Sequence, residues 1–288
     1  MTTCVAIRAQ AKLNLWLHVL AREESGYHSI ETLFHRIDLA DDVTVRLTPD
    51  GARTIECSED VGPLHDNLAY RAAVLFCERT DWQAGFHIAI TKRIPARGGL
   101  GGGSADAAAV LLAMNSLSPR AHSEASLAAL GARLGADVPF LLSDAPCALA
   151  WAHGDRMLAL PALPQRHVAL VIPDSGISTA EAYASLTPGT HVPARITIDD
   201  LGSWQTIASL SHNDLSLSRA AISNSTVSES VAALRRGGAF LAGMSGSGSV
   251  LFGIFDSAPV ASELELATGC RVLLTKTATS VARAIGRG

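Results

Sequence analysis

Between Ile94 and Asp106 the chain reads Ile-Pro-Ala-Arg-Gly-Gly-Leu-Gly-Gly-Gly-Ser-Ala-Asp, with five glycines in the six positions from Gly98 to Gly103. Glycine this dense is costly to order, so it stands where backbone must take positive φ or approach something closely. An unbroken helix-forming run follows, from Ala105 to Asn115. The unpaired N–H groups and the positive dipole end of such a helix point back into the loop. That combination is an anion site, and the usual anion is a phosphate.

Three familiar loops do not fit the letters. A P-loop needs Lys-Ser/Thr directly after its last glycine, and Gly103 is followed by Ser104-Ala105. A dinucleotide fingerprint fails whether it is read from Gly99, which puts Ser104 last, or from Gly101, which puts Asp106 last. A nucleophile elbow needs glycine two residues either side of the serine, but Ser104 has Asp106 after it. Ser104 is therefore expected to bond a phosphate or a metal-bound oxygen, not to attack a carbonyl.

The bulk numbers narrow the class. The chain has 288 residues, 48% hydrophobic and 17% charged, which suits one large domain or two smaller ones with a real core. A net charge of −4 and the lack of any basic run argue against a nucleic-acid partner. No apolar stretch is long and pure enough for a bilayer, and Met1 to Arg8 is not built like a secretory signal. Five scattered cysteines, with no C-x-x-C pair, argue against a disulfide framework or zinc site and for a reducing cytoplasm.

Periodicity predicts strands at Cys4 to Ala9, Leu13 to Val19, Ser29 to Leu39 and Asp42 to Leu47. Thr54 to Cys57 is expected to pair with the last of these as a hairpin across Pro49-Asp50-Gly51. Asp66-Asn67 caps a helix to about Arg79, and Gly85 opens a strand to Thr91 that delivers the chain to the glycine loop. Ser123 caps a helix over Ala125 to Leu134, which stops at Gly135. Beyond a linker near residues 153–165 come a strand at His167 to Ile172 and a helical stretch to about Arg235. A second glycine cluster, Gly243 to Ser249, leads into a strand at Val250 to Phe255, then a helix over Pro259 to Ala267 and a strand at Arg271 to Thr275. Mixed strands and helices in both halves argue α+β in two domains, residues 1–155 and 165–288.

Several stretches together resemble the GHMP kinases, named for galactokinase, homoserine, mevalonate and phosphomevalonate kinases. The central loop resembles their Pro-x-x-x-Gly-Leu-Gly-Ser/Gly-Ser motif, Ala11 to Leu15 their first motif, and Gly243 to Ser249 their C-terminal one. Lys12-Leu13-Asn14-Leu15, Gly26-Tyr27-His28, Asp66-Asn67-Leu68, Gly135 to Phe140 and His212-Asn213-Asp214-Leu215 resemble the branch acting on 4-diphosphocytidyl-2-C-methyl-D-erythritol. The resemblance implies a ribosomal-protein-S5-like α+β N-terminal domain and a ferredoxin-like C-terminal one, with ATP and substrate between them. It implies transfer of the γ-phosphoryl group to the 2-hydroxyl of the erythritol, in the non-mevalonate route to isoprenoids, by a monomer or homodimer.

Residue by residue, the resemblance makes Asp137 the base or orienting group and sets Lys12 beside it. From composition alone Asp137 would be a helix cap and Lys12 a strand-edge lysine. Pro95, Gly99, Leu100, Gly101, Gly102, Gly103 and Ser104 would wrap the triphosphate of ATP, brought in as Mg-ATP, with Asn67 and Leu68 on the adenine side. Asn14 would orient the substrate or Lys12. Tyr27 and His28 would face the cytidine, Tyr183 would be a second aromatic face, and Gly246 and Ser247 would close the site. The metal ligands are open. Two departures stand out: Arg97 replaces a usual glycine, and Asp106 replaces a usual asparagine, where it either suits the helix dipole or helps hold Mg²⁺. A sister kinase for a smaller alcohol, such as homoserine or mevalonate, and a non-catalytic nucleotide-binding protein remain alternatives.

Overall fold

The structure, a computed structural model, describes residues 3–24, 28–60, 62–174, 176–186, 196–282 and 286–287. Two long strands, β1 (Cys4–Arg22) and β2 (His28–Thr48), pair antiparallel along nearly their whole length and form the spine of the first domain. Each merges two of the expected strands into one. The interruptions in the alternation are register shifts, between Gln10 and Lys12, Asn14 and Trp16, and Val19 and Ala21, that bend β1 without ending it.

The far edge of β2 is shared. Its second half pairs with β4 (Gly85–Thr91) and its first half with β5 (Cys147–Ala152), and β5 in turn pairs with β6 (Arg156–Leu160). The expected hairpin between β2 and β3 (Arg53–Cys57) does not form; β3 lies parallel to β4 at the edge of the sheet. The seat beside β2 goes to β4 because Phe86, Ile88 and Ile90 alternate into the core, whereas β3 buries none of its residues fully. A glycine is needed at 85 because a Cβ there would lie 2.3 Å from Thr48 Oγ1 in the turn that β4 passes.

Helix α1 (Leu68–Thr80) is capped by Asn67, whose side chain accepts from the Ala69 amide. Helix α2 (Gly102–Leu117) starts inside the glycine run, three residues before the expected Ala105. It is buried on almost every side, at Ala105, Ala107, Ala108, Ala109, Val110, Leu111, Ala113 and Met114, and its alanines let it lie between α1, β1 and β2. Helix α3 (Glu124–Ala132) is capped by Ser123, as the sequence predicts. The one-turn helix α4 (Val138–Leu142) follows, tied to the sheet by Arg36 of β2. Arg36 donates to the carbonyls of Phe140, Ser143 and Ala145, and its guanidinium lies 4.9 Å from the Phe140 ring centre.

The crossing to the second domain falls at residues 161–166, because the β5–β6 hairpin belongs to the first sheet; a boundary at 155 would cut that hairpin. The second sheet holds β7 (His167–Pro173), β8 (Leu241–Met244), β9 (Leu251–Phe255) and β10 (Cys270–Lys276) in the order β10-β7-β9-β8. Counted within the domain this is 4-1-3-2, all antiparallel, the ferredoxin-like order. The first crossover carries α5 (Thr179–Ala184), α6 (Trp204–Leu210), α7 (Arg219–Ile222) and α8 (Ser225–Arg236). Strand β8 was hidden in the glycine-rich text around Gly237 and Gly243. The helix expected over Pro259 to Ala267 is one 3-10 turn, Ala261–Glu263. Leu264 and Leu266 then pack two residues apart into the second core, a spacing an α-helix would turn to different sides.

The chain end returns to the first domain. Ala278 donates to the Arg36 carbonyl, and β11 (Gly286–Arg287) pairs with β1 at Val5 and Ala6, so the second domain does not extend unbroken to residue 288. Among the described residues no helix is long and apolar enough to cross a membrane.

Candidate active site

Beyond its short pairing with β11, the outer edge of β1 is free for other segments, and the site is assembled along it. The Lys12 amide donates to the Leu100 carbonyl of the first glycine loop at 3.0 Å, and the Leu17 amide to the His212 carbonyl at 2.8 Å. Lys12 and Asn14, two residues apart on the bulged stretch, share one face. Lys12 Nζ donates to Asn14 Oδ1 at 2.6 Å and lies 3.2 Å from Asp137 Oδ2, while the Asn14 amide group donates to Thr32 Oγ1 at 2.8 Å. Lys12 is 3% exposed, so this is a buried ammonium beside a carboxylate that is open to the cavity, not a strand-edge lysine. Asp137 precedes α4 without capping it through its side chain, which leaves its carboxylate for Lys12.

These groups face a cavity of about 790 Å³, at the upper end of the range for small-molecule sites. It brings together Lys12, Asn14, His28, Gly99, Ser104, Asp137, Tyr183, Gly246 and Ser247, all expected from the sequence. Pro95, Leu100, Gly101, Gly102, Gly103, Asn67 and Leu68 do not line it. Leu100 is 1% exposed and meets the site only through its carbonyl. Asn67 spends its side-chain oxygen on the helix cap, and Leu68 Cδ1 lies 3.6 Å from where a Cβ on Gly103 would stand, just outside the rim.

The start of α2 carries no cap. Gly101 precedes α2 with φ +72° and offers no side-chain cap, so the amides of the first turn stay unpaired. Gly99 also has φ +72°, and a Cβ there would lie 2.0 Å from the Ser245 carbonyl oxygen, so the two glycine clusters pack backbone against backbone. Ser245 Oγ donates to the Gly99 carbonyl at 2.9 Å, and the Ser247 and Thr179 hydroxyls share a bond of 2.7 Å.

The aromatic wall differs from expectation. His28 and Tyr183 lie against each other, ring centres 4.8 Å apart and tilted by 36°, so no ring fits between them and they form one wall. Burial pushes the Tyr183 hydroxyl up to about 12, and the Asp137 carboxylate adds to this. His28 sits below the usual histidine value, through burial and then the Arg22 guanidinium, and is neutral at pH 7. Tyr27 lies outside the described residues.

Sequence reasoning missed two cations, Arg22 and Arg133, which line the cavity with Lys12 and Arg97 against two carboxylates, Asp137 and Asp155. Among the described residues no carboxylate pairs with Arg22, Arg97 or Arg133. A chain of net charge −4 thus keeps a cationic pocket. Arg97 adopts φ +56°, the conformation the usual glycine would take without strain. The only available signal for Arg133 was its place two residues before Gly135.

Asp106 is not in the cavity. It is 5% exposed beneath the glycine loop, and Lys92 Nζ donates to it at 2.7 Å and also to Asp41. Asp41 also takes the amides of Arg93 and Ile94, so Asp41 is the better satisfied of the two carboxylates. Burial pushes Asp106 up to about 7, against the pull of Lys92 and with the push of Asp41. Its folded value exceeds the unfolded one, so the contribution of Asp106 to stability falls as pH rises from about 4 to about 7. Asp106→Asn, already neutral, should therefore gain in Tm over the parent by about 3–6 °C between pH 5 and pH 7.5. Thermal melts at the two pH values check this, and a gap that stays constant or narrows would refute it.

Comparisons with known proteins decide the family. The model for the GHMP kinases N terminal domain matches residues 67–145, and that for the GHMP kinases C terminal domain matches residues 196–268. A protein of Citrifermentans bemidjiense called 4-diphosphocytidyl-2-C-methyl-D-erythritol kinase is 38% identical, over 86% of this chain and 89% of its own. The chain belongs to the GHMP kinases. A second relative of the same name, from Desulfotalea psychrophila, is 34% identical over 96% of this kinase and 93% of its own length. A solved 4-(cytidine 5'-diphospho)-2C-methyl-D-erythritol kinase superposes with a TM-score of 0.77 at 33% identity, covering 94% of this kinase and 98% of that chain. A homoserine kinase from Cytophaga hutchinsonii, at 17% identity and a TM-score of 0.72 over 99% and 98% of the two chains, shares the fold.

Proposed function

We propose that this kinase transfers the γ-phosphoryl group of ATP to the 2-hydroxyl of 4-diphosphocytidyl-2-C-methyl-D-erythritol. The observation that carries the mechanism is the Lys12–Asp137 contact of 3.2 Å at the wall of a cationic cavity. Phosphoryl transfer asks a protein for positioning and charge neutralisation more than for covalent chemistry. The amides at the start of α2 and the unpaired arginines supply charge for the two phosphate chains. Asp137 takes the proton of the attacking hydroxyl, and the Lys12 ammonium beside it favours the developing alkoxide. Asn14 keeps the ammonium aimed by accepting from it.

The cytidine base stacks on the exposed face of the His28–Tyr183 pair, an aromatic platform a smaller alcohol would not use. The adenine lies beyond Gly103, over Leu68. Mg²⁺ fits as part of Mg-ATP, because it keeps waters and phosphate oxygens and needs one or two protein donors. Ser104 at the start of α2 is such a donor, whereas Asp106 is taken by Lys92. Among the described residues no cluster of three or more His, Cys, Asp or Glu could hold a metal alone. When bound, the ion neutralises charge on the phosphates.

Phosphorus NMR of the product tests the assignment. The expected product carries one new phosphomonoester, on the 2-carbon of the tetritol, beside an intact diphosphate. A phosphate on another hydroxyl would contradict the placement of Asp137.

A further inference from the structure

The motif His212-Asn213-Asp214-Leu215 has no part in the chemistry above, and none of its residues lines the large cavity. Its neighbourhood is nonetheless a hydrogen-bonded junction between the two domains. The segment 211–214 runs beside the bulged part of β1: Ser211 Oγ donates to the Leu15 carbonyl at 2.7 Å, and the Val19 amide donates to Asp214 Oδ2 at 2.7 Å. With the Leu17 amide on the His212 carbonyl, three consecutive outward positions of β1 are fastened to it.

From that platform the Asn213 side chain, 7% exposed, reaches the 244–246 turn of its own domain. Its Nδ2 donates to the Met244 carbonyl at 2.7 Å and to the Gly246 carbonyl at 2.8 Å, and its Oδ1 accepts from the Leu215 amide at 3.0 Å. Both amide hydrogens are used, and no other side chain of this size donates twice at one end and accepts at the other. The turn so held is the one that meets the reacting groups. A Cβ on Gly246 would lie 3.2 Å from Asn14 Oδ1, the oxygen that takes the Lys12 ammonium. Ser245 Oγ accepts from the Asn14 main-chain N–H at 3.3 Å and donates to the Gly99 carbonyl.

We infer that Asn213 is a positioning residue for phosphoryl transfer, fixing the 244–246 turn of the second domain against Asn14, Lys12 and the first glycine loop. The inference rests on the kinase reading. A misplacement of about 1 Å in a reacting geometry can cost on the order of 100-fold in rate, so the hold on this turn acts on kcat.

Asn213 also has a local task, since its Oδ1 starts the 3-10 turn Asp214–Leu217. Asn213→Asp separates the two. A carboxylate of the same shape still accepts from Leu215 N but sets oxygen against the two carbonyls. Asn224→Ala is the structural control, because Asn224 caps α8 through Thr226 N and does not line the cavity.

Steady-state kinetics at saturating ATP and cytidyl substrate, with melting curves, should show Asn213→Asp losing about 10-fold or more in kcat. Asn224→Ala should lower Tm by the few degrees that a lost cap costs and keep kcat within about two-fold. If Asn213→Asp does not fold, Asn213→Ala against Asn224→Ala carries the same comparison. Unchanged kcat in both Asn213 variants, or a kcat loss matched by Asn224→Ala at equal Tm, overturns the inference. An unaltered protein without turnover would instead refute the kinase reading itself.

Discussion

Asp137→Asn is expected to lower kcat by on the order of 100- to 10,000-fold, the usual worth of a positioned general base. The asparagine keeps the size of the side chain, so α4 and its tether to Arg36 stay in place. It cannot take a proton, and it removes the negative charge facing the Lys12 ammonium, which keeps its bond to Asn14. ATP affinity should hold or tighten slightly, since one of the two carboxylates of a cationic cavity has been neutralised. Titration with a non-hydrolysable ATP analogue beside steady-state kinetics checks both halves. A variant that keeps kcat within about ten-fold would remove Asp137 from the role of base.

The second large effect concerns the cytidyl end. Tyr183→Ala should raise KM for the cytidyl substrate by about 10-fold, which matches a stacking contribution of about 1–2 kcal/mol, and leave KM for ATP within about two-fold. His28→Ala should behave in the same way, because the two rings form one wall and removing either exposes the other's flank. Neutral His28 can donate to or accept from the base edge, so this KM should stay flat between pH 7 and 8. Equal increases in both KM values would place the nucleobase elsewhere.

The legible parts of this kinase were those whose chemistry is local. Asn67 and Ser123 cap the helices they precede, and the glycine run announces an uncapped helix start, because each depends on neighbours within a few residues. Lys12, Asn14 and Asp137 were readable only through the family resemblance, since nothing in their spacing says that residues 125 positions apart meet at 3.2 Å. What stayed hidden depends on which segment takes a given edge. Alternation marks Thr54 to Cys57 as a strand but not that β4 outbids it for the seat beside β2 through Phe86, Ile88 and Ile90. Asp106 suits a helix start from its letters, and only the fold reveals that Lys92 and Asp41 surround it. Tyr183 lines the cavity, yet its contact with His28 makes the expected second aromatic face part of the same wall.

The most direct test of the account is ADP release by the purified protein with Mg-ATP, offered the diphosphocytidyl alcohol, homoserine and mevalonate in parallel. Turnover on the cytidyl substrate alone is the predicted result. Turnover on homoserine or mevalonate instead would keep the phosphoryl-transfer centre and contradict the aromatic platform, and silence on all three with ATP still bound would contradict the central claim.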